Sequence, residues 1–464
     1  MKYLLETSVI VLVILIASSC GKTSFTNSSN ALTSFSTDTL FFDTVFTTTG
    51  SVTQSFKIFN ENDEKLRLSK ISLAGGGSSP FKINVDGTPG VSFSDIELEP
   101  NDSVYVFVSV TINPNAGQLP FVVEDSILVN YNGNNKYVQL QAFGQNAHFF
   151  RNQRVTADSA WNNDLPFVIL GGLSVDSNVT LNINKGCRIF CHADAPFIVN
   201  GALKINGEMY DSTRVVFRGD RLDPGYSDLP AGWPGIYFSA SSADNVLTYA
   251  IIQNGYQGII TESSISANPK ITLNQCMIDN IYDAGIISLA SSIKAVNCLI
   301  SNCGSNISIG AGGWYSFDHC TVASYANPYY DRKNPVLFVT NAYDENQTFP
   351  LEAHFRNCIF YGEGGIVTNE LVVAKKPSAN PFDVTFQNVL YKNKDDTIDA
   401  FFSNSLKNQS PQFDSIDVVR RKFNFRLKPT SPAIDAGIGT GVTIDLDGRS
   451  RASFNLPDLG CYEQ

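Results

Sequence analysis

The segments ITLNQCMIDN (271–280), IKAVNCLISN (293–302), YSFDHCTVAS (315–324), AHFRNCIFYG (353–362) and VTFQNVLYKN (384–393) repeat one pattern of apolar and polar residues. Aligned on Cys276, Cys298, Cys320, Cys358 and Val389, they follow one another at spacings of 22, 22, 38 and 31 residues. Equal spacings followed by longer ones are typical of a solenoid whose coils stack and carry loops at their corners. The repeat therefore predicts a parallel β-helix over residues 149–430.

Each repeat predicts a bend in the chain. An apolar residue precedes the cysteine by three positions, as Leu273 precedes Cys276, and strict strand alternation forbids two inward side chains at that spacing. Asn297, Asn357 and Asn388 occupy the bend, because asparagine tolerates left-handed backbone angles, and we expect their side chains to hydrogen-bond along the coil axis.

The repeated cysteines are expected to be buried free thiols. Stacked coils lie about 4.8 Å apart, whereas a disulfide needs β-carbons roughly 3.5 to 4.5 Å apart. Cys187, Cys191 and His192 resemble a metal-binding cluster, but two sulfurs four residues apart on a strand start about 13 Å apart, so no metal site is predicted there.

Residues 37–148 have the pattern of an antiparallel sandwich. Val104, Val106, Val108 and Val110 alternate with outward-facing residues, as in a half-buried strand. About seven such strands in about 110 residues predict an immunoglobulin-like β-sandwich, so the whole protein is expected to be all-β.

The N-terminus predicts export. Lys2, the apolar run Val9–Ala17 and a small-residue exit form a signal peptide over residues 1–19, too short at about 14 Å to cross a bilayer of about 30 Å. The stretch LIASSCG (15–21) resembles a bacterial lipobox, which implies that Cys20 carries a lipid and binds a membrane; the alternative is an ordinary secretory signal with a chance cysteine. Residues 20–36, poor in apolar side chains, are predicted to be a flexible tether.

Charge excludes one class of partner. The net charge is −11 and no basic cluster is present, so binding to a nucleic acid backbone is not expected.

The chain resembles a known group of proteins. LPAGWPGIYFSASSADNVLTYAIIQNG (229–255) and the repeats after it resemble the right-handed, single-stranded, pectate-lyase-like β-helix lipoproteins of Bacteroidetes. FSTDTLFFDTVFTT (35–48) with FKIFN (56–60) resembles their immunoglobulin-like module, and SPAIDAG (431–437), DLDGRSR (445–451) and DLGCYE (458–463) resemble their C-terminal motif. The resemblance implies an outer-membrane lipoprotein but no reaction. Gly21-Lys22-Thr23-Ser24 lacks the acidic residues common after the lipidated cysteine of exported members, so cell-surface and periplasm-facing positions both remain open.

Two insertions are the candidate ligand sites, because aromatic faces and charged groups together suit a glycan or a calcium ion. The first, residues 218–233, contains Asp220, Asp223, Tyr226, Asp228 and Trp233. The second, residues 325–350, contains Tyr329, Tyr330, Asp331 and Arg332. Both could equally be solvated loops.

The C-terminal motif, residues 431–464, is interpreted as a structural cap. Asp435, Arg449, Asp458 and Glu463 are expected to form an arginine–carboxylate network that closes the open end of the coil, with a cation site as the alternative.

Three functions remain. The leading hypothesis is a non-catalytic envelope lipoprotein that binds a glycan or another envelope component. A polysaccharide lyase or glycoside hydrolase is second, since such chemistry needs converging carboxylates and the bend positions hold none. A structural subunit of an outer-membrane assembly is third.

Overall fold

The computed structural model describes residues 24–47, 49–114, 121–264, 268–344, 346–396, 398–451 and 456–464. Cys20 and the signal peptide lie outside these residues. The described chain is all-β without an α-helix, and it forms two compact units that divide between Asn146 and Ala147. None of the described residues forms a helix of the length and apolarity needed to cross a membrane.

The first unit contains two five-stranded sheets. Its strands are β1 (Thr33–Phe35), β2 (Thr39–Phe46), β3 (Gln54–Asn60), β4 (Leu66–Leu73), β5 (Phe81–Val85), β6 (Thr88–Gly90), β7 (Ser92–Leu98), β8 (Ser103–Val110), β9 (Phe121–Tyr131) and β10 (Asn134–Gln145). The sheet orders are β1-β3-β8-β5-β6 and β2-β10-β9-β4-β7. Inward side chains of both sheets share one hydrophobic cluster, and the alternation predicted for β8 is confirmed, since Val104, Val106, Val108 and Val110 are all buried.

The predicted tether is shorter than residues 20–36 on its described side. Phe25 forms a bridge with Lys65, and β1 pairs with β3 in the first unit. The physical reason is that Ala31 and Thr33 are buried and that threonine and phenylalanine favour strands, so this run packs despite its few apolar residues.

The second unit contains one parallel sheet of 26 strands, which fits a parallel β-helix. Its strands are β11 (His148–Val155), β12 (Ser159–Trp161), β13 (Phe167–Val175), β14 (Thr180–Asn184), β15 (Arg188–Cys191), β16 (Phe197–Val199), β17 (Ala202–Asn206), β18 (Val215–Gly219), β19 (Ile236–Phe238), β20 (Asn245–Thr248), β21 (Ala250–Gln253), β22 (Ile259–Thr261), β23 (Ile271–Asn274), β24 (Met277–Asp279), β25 (Ala284–Val296), β26 (Leu299–Ser301), β27 (Ser305–Asp318), β28 (Thr321–Ser324), β29 (Leu337–Thr340), β30 (Leu351–Arg356), β31 (Ile359–Gly362), β32 (Leu371–Ala374), β33 (Phe382–Gln387), β34 (Leu390–Tyr391), β35 (Phe401–Ser403) and β36 (Leu406–Lys407). The chain then forms a separate antiparallel hairpin, β37 (Phe413–Asp417) and β38 (Lys422–Leu427).

Each coil contributes to three ladders of parallel strands. Ladder A contains β12, β14, β17, β20, β23, β25, β27, β30, β33 and β35, and ladder B contains β15, β18, β21, β24, β26, β28, β31, β34 and β36. Ladder C contains β13, β16, β19, β22, β25, β27, β29 and β32. Inward side chains from all three ladders form one continuous core, which includes seven of the eight described cysteines.

The bend predicted from the repeats is confirmed. Six of the residues that link ladder A to ladder B have left-handed φ angles between 48° and 54°; we call them the bend row, and they are Tyr249, Gln275, Asn297, His319, Asn357 and Asn388. A cysteine follows four of these bends, and all four, Cys276, Cys298, Cys320 and Cys358, are buried and free, as expected. Cys276 Sγ lies 3.2 Å from Leu247 O of the previous coil, and burial raises the pKa of the Cys276 thiol well above its usual value.

The C-terminal part of the chain differs from the prediction. Residues 413–464, which we call the C-terminal arm, leave the coil and pack back along its side. Ala436 O accepts a hydrogen bond from Asn388, Ile438 O one from Asn357, and Ile444 O one from Asn297, at 2.6 to 2.8 Å. The arm thus runs along the bend row in reverse order, and the asparagine side chains bind the arm rather than one another.

The arm covers the outward side of ladder B. Apolar side chains of the coils, Leu299, Ala323, Tyr325, Ile359, Tyr361 and Leu390, pack against those of the arm, Phe413, Phe425, Leu427, Ala433, Leu446, Leu459, Cys461 and Tyr462. Strands β28 and β31 are therefore buried on both faces.

The predicted cap residues lie in this arm and not across the end of the coil. Arg451 replaces Arg449 as the centre of the network, because it is buried and bonds Glu463 Oε2 at 2.7 Å and Asn297 Oδ1 at 3.0 Å. Asp458 accepts from the amides of Asp435 and Gln464 at 2.8 and 2.9 Å. Arg449 is exposed, and its side chain donates only to the carbonyl of Glu463 among the described residues.

Candidate functional site

The first insertion folds into a compact turn after β18. Arg221 holds Asp223 through two hydrogen bonds of 2.7 and 2.8 Å, which lowers the pKa of that carboxyl, and its guanidinium lies 3.9 Å from the centre of the exposed Tyr226 ring. Asp220 binds His192 Nδ1 at 2.8 Å, and burial raises the pKa of its carboxyl. Asp228 remains exposed, and its carboxylate bonds to none of the described residues.

The predicted ligand residues of the second insertion lie in different environments. Tyr329 is exposed, whereas Tyr330 donates to Asn302 O at 2.7 Å and burial raises the pKa of its phenol. Asp331 lies in solvent beside Lys333 at 3.4 Å. Arg332 forms a buried ion pair with Glu370.

Two predicted ligand residues are therefore structural. Trp233 is 1% exposed, stacks on Phe217 and donates its indole N–H to Gln253 O at 2.9 Å. Arg332 is 2% exposed, and its Nη1 and Nη2 bond Gly364 O and Glu370, respectively. Neither side chain offers a surface to a ligand.

The two insertions meet the C-terminal hairpin at one polar groove. Its first part, of about 270 Å³, is lined by Asp228 of the first insertion, Ala326 and Asn327 of the second, and Arg420, Arg421 and Phe423 of the hairpin, with Gln253, Asn254, Asp279, Asn280 and Asn302 of the coils. A second part, of about 300 Å³, shares Asp279, Asn302, Arg421 and Phe423 and continues past Arg426, Asp447 and Tyr462.

A row of asparagines forms the floor. Asn254, Asn280 and Asn302 follow successive ladder B strands, all with left-handed φ angles of 50° to 61°. Asn280 donates to Asn254 Oδ1 at 2.8 Å and to Asp228 O at 2.9 Å, which ties the first insertion to the coil. Asn302 is 4% exposed, and its Oδ1 has no partner among the described residues. A buried amide oxygen without a donor is costly, and because this atom is closed to solvent it marks a strained position beneath the floor and not a contact for a ligand.

Asp279 is the acidic residue of the groove floor. Its Oδ1 accepts hydrogen bonds from Ser301 at 2.6 Å and from Asn302 at 3.1 Å, and burial raises the pKa of its carboxyl. The positive charge of Arg421 acts in the opposite direction on that pKa.

Arg421 joins all three segments of the groove. Its Nη2 donates to Asp228 O at 2.7 Å, and its guanidinium lies 4.7 Å from the centre of the Tyr329 ring. Its own backbone has a φ of 55°, an unfavourable angle for a side chain of this size. Arg421 lines both parts of the groove, and its guanidinium makes no other hydrogen bond to the described residues.

Two tyrosines each follow a floor asparagine by two residues. Tyr256 and Tyr282 occupy successive coils, stack with ring centres 5.6 Å apart, and are 47% and 42% exposed. Tyr330 meets the edge of Tyr282 at 6.1 Å. Exposed aromatic faces next to donors and acceptors are the elements that bind sugar rings.

The sequence did not point to most of this site. Asp279, Asn280 and Asn302 end quoted repeats, where the pattern predicts only coil residues, and Arg420 and Arg421 lie within residues 149–430, for which the sequence predicts coil. The only available signal was the recurrence of asparagine at the end of successive repeats. Cys187 and Cys191 are buried free thiols, and no group of three potential metal ligands occurs within the described ranges.

Comparisons with known proteins add little. No protein-family model matches the sequence, and no curated protein matches it either. A solved structure, a family 123 glycoside hydrolase from Clostridium perfringens studied for glycolipid glycan hydrolysis, is similar over 26% of this chain and 30% of its own length, at 12% identity and a TM-score of 0.19. A similarity of this size supports no conclusion about fold or function.

Proposed function

We propose that the protein is an outer-membrane lipoprotein, anchored through Cys20, that binds a glycan in the polar groove without cleaving it. In this proposal the first unit is an immunoglobulin-like module, and the second is a right-handed, pectate-lyase-like β-helix that presents the groove at the cell surface or towards the periplasm. The lipobox and signal peptide of the sequence support the anchor.

The observation that carries the glycan proposal is the meeting of both insertions and the hairpin over Asn302. The groove offers acceptors in Asp279 and Asp228 and donors in Arg421. Sugar hydroxyls both donate and accept, so they can satisfy such a mixed set, and Tyr256 and Tyr282 offer faces for stacking. A purely anionic ligand would be repelled by Asp279 and Asp228, and a purely cationic ligand would be repelled by Arg421.

The test is binding of the purified protein, carrying Cys20→Ser so that it is not lipidated, to an array of bacterial, plant and host glycans with and without calcium. We expect Arg421→Gly to weaken binding about tenfold or more, because a lost charge-assisted hydrogen bond is worth about 1.5–3 kcal/mol. Glycine is well suited to the left-handed angle of this position, so the variant should fold.

Asp86→Gly is the matched control. Asp86 has a φ of 48° in an exposed turn of the first unit, so the substitution makes the same backbone change away from the groove. Equal binding by both variants and the parent, or binding to no glycan at all, would refute the glycan proposal and make an envelope protein the next partner to seek.

A glycan-cleaving enzyme is the second candidate, and one observation favours it. Asp279, whose pKa is raised by burial, shares the groove with the exposed Asp228. A protonated and an ionised carboxyl are the pair that glycosidases use. Release of shorter chains from bound glycans, lost in Asp279→Asn, would establish this function in place of binding alone.

A further inference from the structure

A second cleft lies at the opposite corner of the coil, where the chain enters ladder A, and shares no lining residue with the groove. It has a volume of about 410 Å³. Its walls include Trp314, Glu352 and Asp383, together with three prolines, Pro269, Pro350 and Pro381.

Trp314 differs from the other two tryptophans of the chain. Trp161 and Trp233 are buried at 7% and 1% exposure, whereas Trp314 is only half-buried and lies on the outward side of β27. Its indole N–H donates to Glu352 Oε1 at 3.2 Å, which fixes the ring at the wall of the cleft.

The register aligns this tryptophan with two carboxylates. Trp314 pairs with Glu352 on β30, and Glu352 pairs with Asp383 on β33, so the three side chains form one column at the strand spacing of about 4.8 Å. Both acids are exposed, and like charges directly opposite in a sheet destabilise it.

Among the described residues, no lysine or arginine pairs with either acid of the column. The Asp383 carboxylate forms no ion pair or hydrogen bond with the described residues. Glu352 is held by the indole and by His354 Nε2 at 3.0 Å, and His354 is in turn 2.7 Å from Thr385 Oγ1 through Nδ1. Lys294 lies on the same face and Lys375 lies over the ring of Phe382, but neither lines the cleft.

We propose that this cleft binds an amino sugar that carries a free ammonium group. The ammonium takes the place between Glu352 and Asp383, where it relieves their repulsion, and Trp314 receives the sugar ring on its face. The cleft is larger than an ammonium group alone requires, so it has room for the ring that carries the group. This site rests on residues separate from the groove, so either proposal can fail alone.

The experiment titrates the full chain with D-glucosamine and follows tryptophan fluorescence and heat. N-acetylglucosamine tests the need for the ammonium, choline tests the need for the sugar, and potassium chloride at equal ionic strength tests a bare cation. We expect glucosamine to bind and to change the emission of the solvent-accessible Trp314, and the other three to bind at least tenfold more weakly.

Asp383→Asn and Glu352→Gln, nearly isosteric, should each weaken glucosamine binding about tenfold, and Trp314→Phe should remove the fluorescence response while the heat of binding persists. Asp331→Asn, an exposed carboxylate outside the cleft, is the control. The proposal is overturned if glucosamine does not bind, if N-acetylglucosamine or choline binds as tightly, or if Asp383→Asn binds like Asp331→Asn.

Discussion

A histidine occupies a position of the bend row at which three other coils have asparagine. His319 is fully buried, with Nε2 3.0 Å from Asn357 Nδ2 and 3.0 Å from Thr440 Oγ1. An Nε2 that accepts from the amide requires a neutral ring. Burial, and then the charges of Arg451 and Arg356, lower the pKa of His319 to about 3.

This residue should make the protein sensitive to acid. The folded-state pKa lies below the unfolded value of about 6.5, so the stability due to the neutral ring is present above pH 6.5 and is lost as the pH falls towards 3. We expect the difference in unfolding free energy between the parent and His319→Asn to fall by about 2 kcal/mol from pH 6.5 to pH 5, since each unit is worth about 1.4 kcal/mol.

Urea unfolding of both proteins across that pH range measures the difference in unfolding free energy. Other groups that titrate there contribute equally to both proteins and cancel in the difference; one is Glu463, whose pKa is raised to about 7 by burial. A difference that does not change with pH would show that His319 does not titrate as described. Sequence alone located this bend, because the repeat aligned His319 with the asparagines, but one of its ring partners, Thr440, lies in the arm, 121 residues later.

The C-terminal arm is the element that the sequence did not predict. Phe423 and Phe425 alternate with polar residues as the coil strands do, and periodicity cannot distinguish a parallel partner in the next coil from an antiparallel partner in a hairpin. The repeats themselves were predictable, because one pattern of apolar and polar residues recurs from coil to coil and stacked coils bury the same positions each time.

Arg451 should be the most sensitive residue of the arm. It is buried, pairs with Glu463, and donates to Asn297 and Gly460 O. Arg451→Met leaves a buried carboxylate without its partner, so we expect a loss of about 3–5 kcal/mol in the free energy of unfolding.

Arg420→Met is the matched control, because Arg420 is exposed and lies 3.4 Å from Asp417 in a surface pair worth about 1 kcal/mol or less. Chemical denaturation of both variants compares the two arginines. Similar losses in the two variants would mean that the arm adds little to the stability of the coil.

At the scale of the whole molecule, the two units have separate cores. Ile71 lies in the hydrophobic cluster of the first unit and Ile293 in that of the second, both fully buried. Separate cores typically unfold in separate transitions. The change in composition near residue 149 made the division into two units predictable. The groove was not predictable, because it joins segments near residues 228, 327 and 421 that only the folded coil brings together.

Calorimetry should therefore show two transitions. Ile71→Ala removes about 2–5 kcal/mol of core packing and should lower one transition by on the order of 10 °C, and Ile293→Ala should lower the other. A single transition that moves with either substitution would show instead that the chain unfolds as one cooperative unit.

The position of the arm has a consequence for how the protein is made. The arm is synthesised after the coils, yet it covers ladder B strands from the coil of Leu299 to that of Leu390. Until the ribosome has released the arm, a growing or truncated chain has a row of uncovered leucine, isoleucine and tyrosine side chains along its flank. Chaperones bind such a surface and proteases degrade chains that expose it, so a chain that has gained the arm is protected from both.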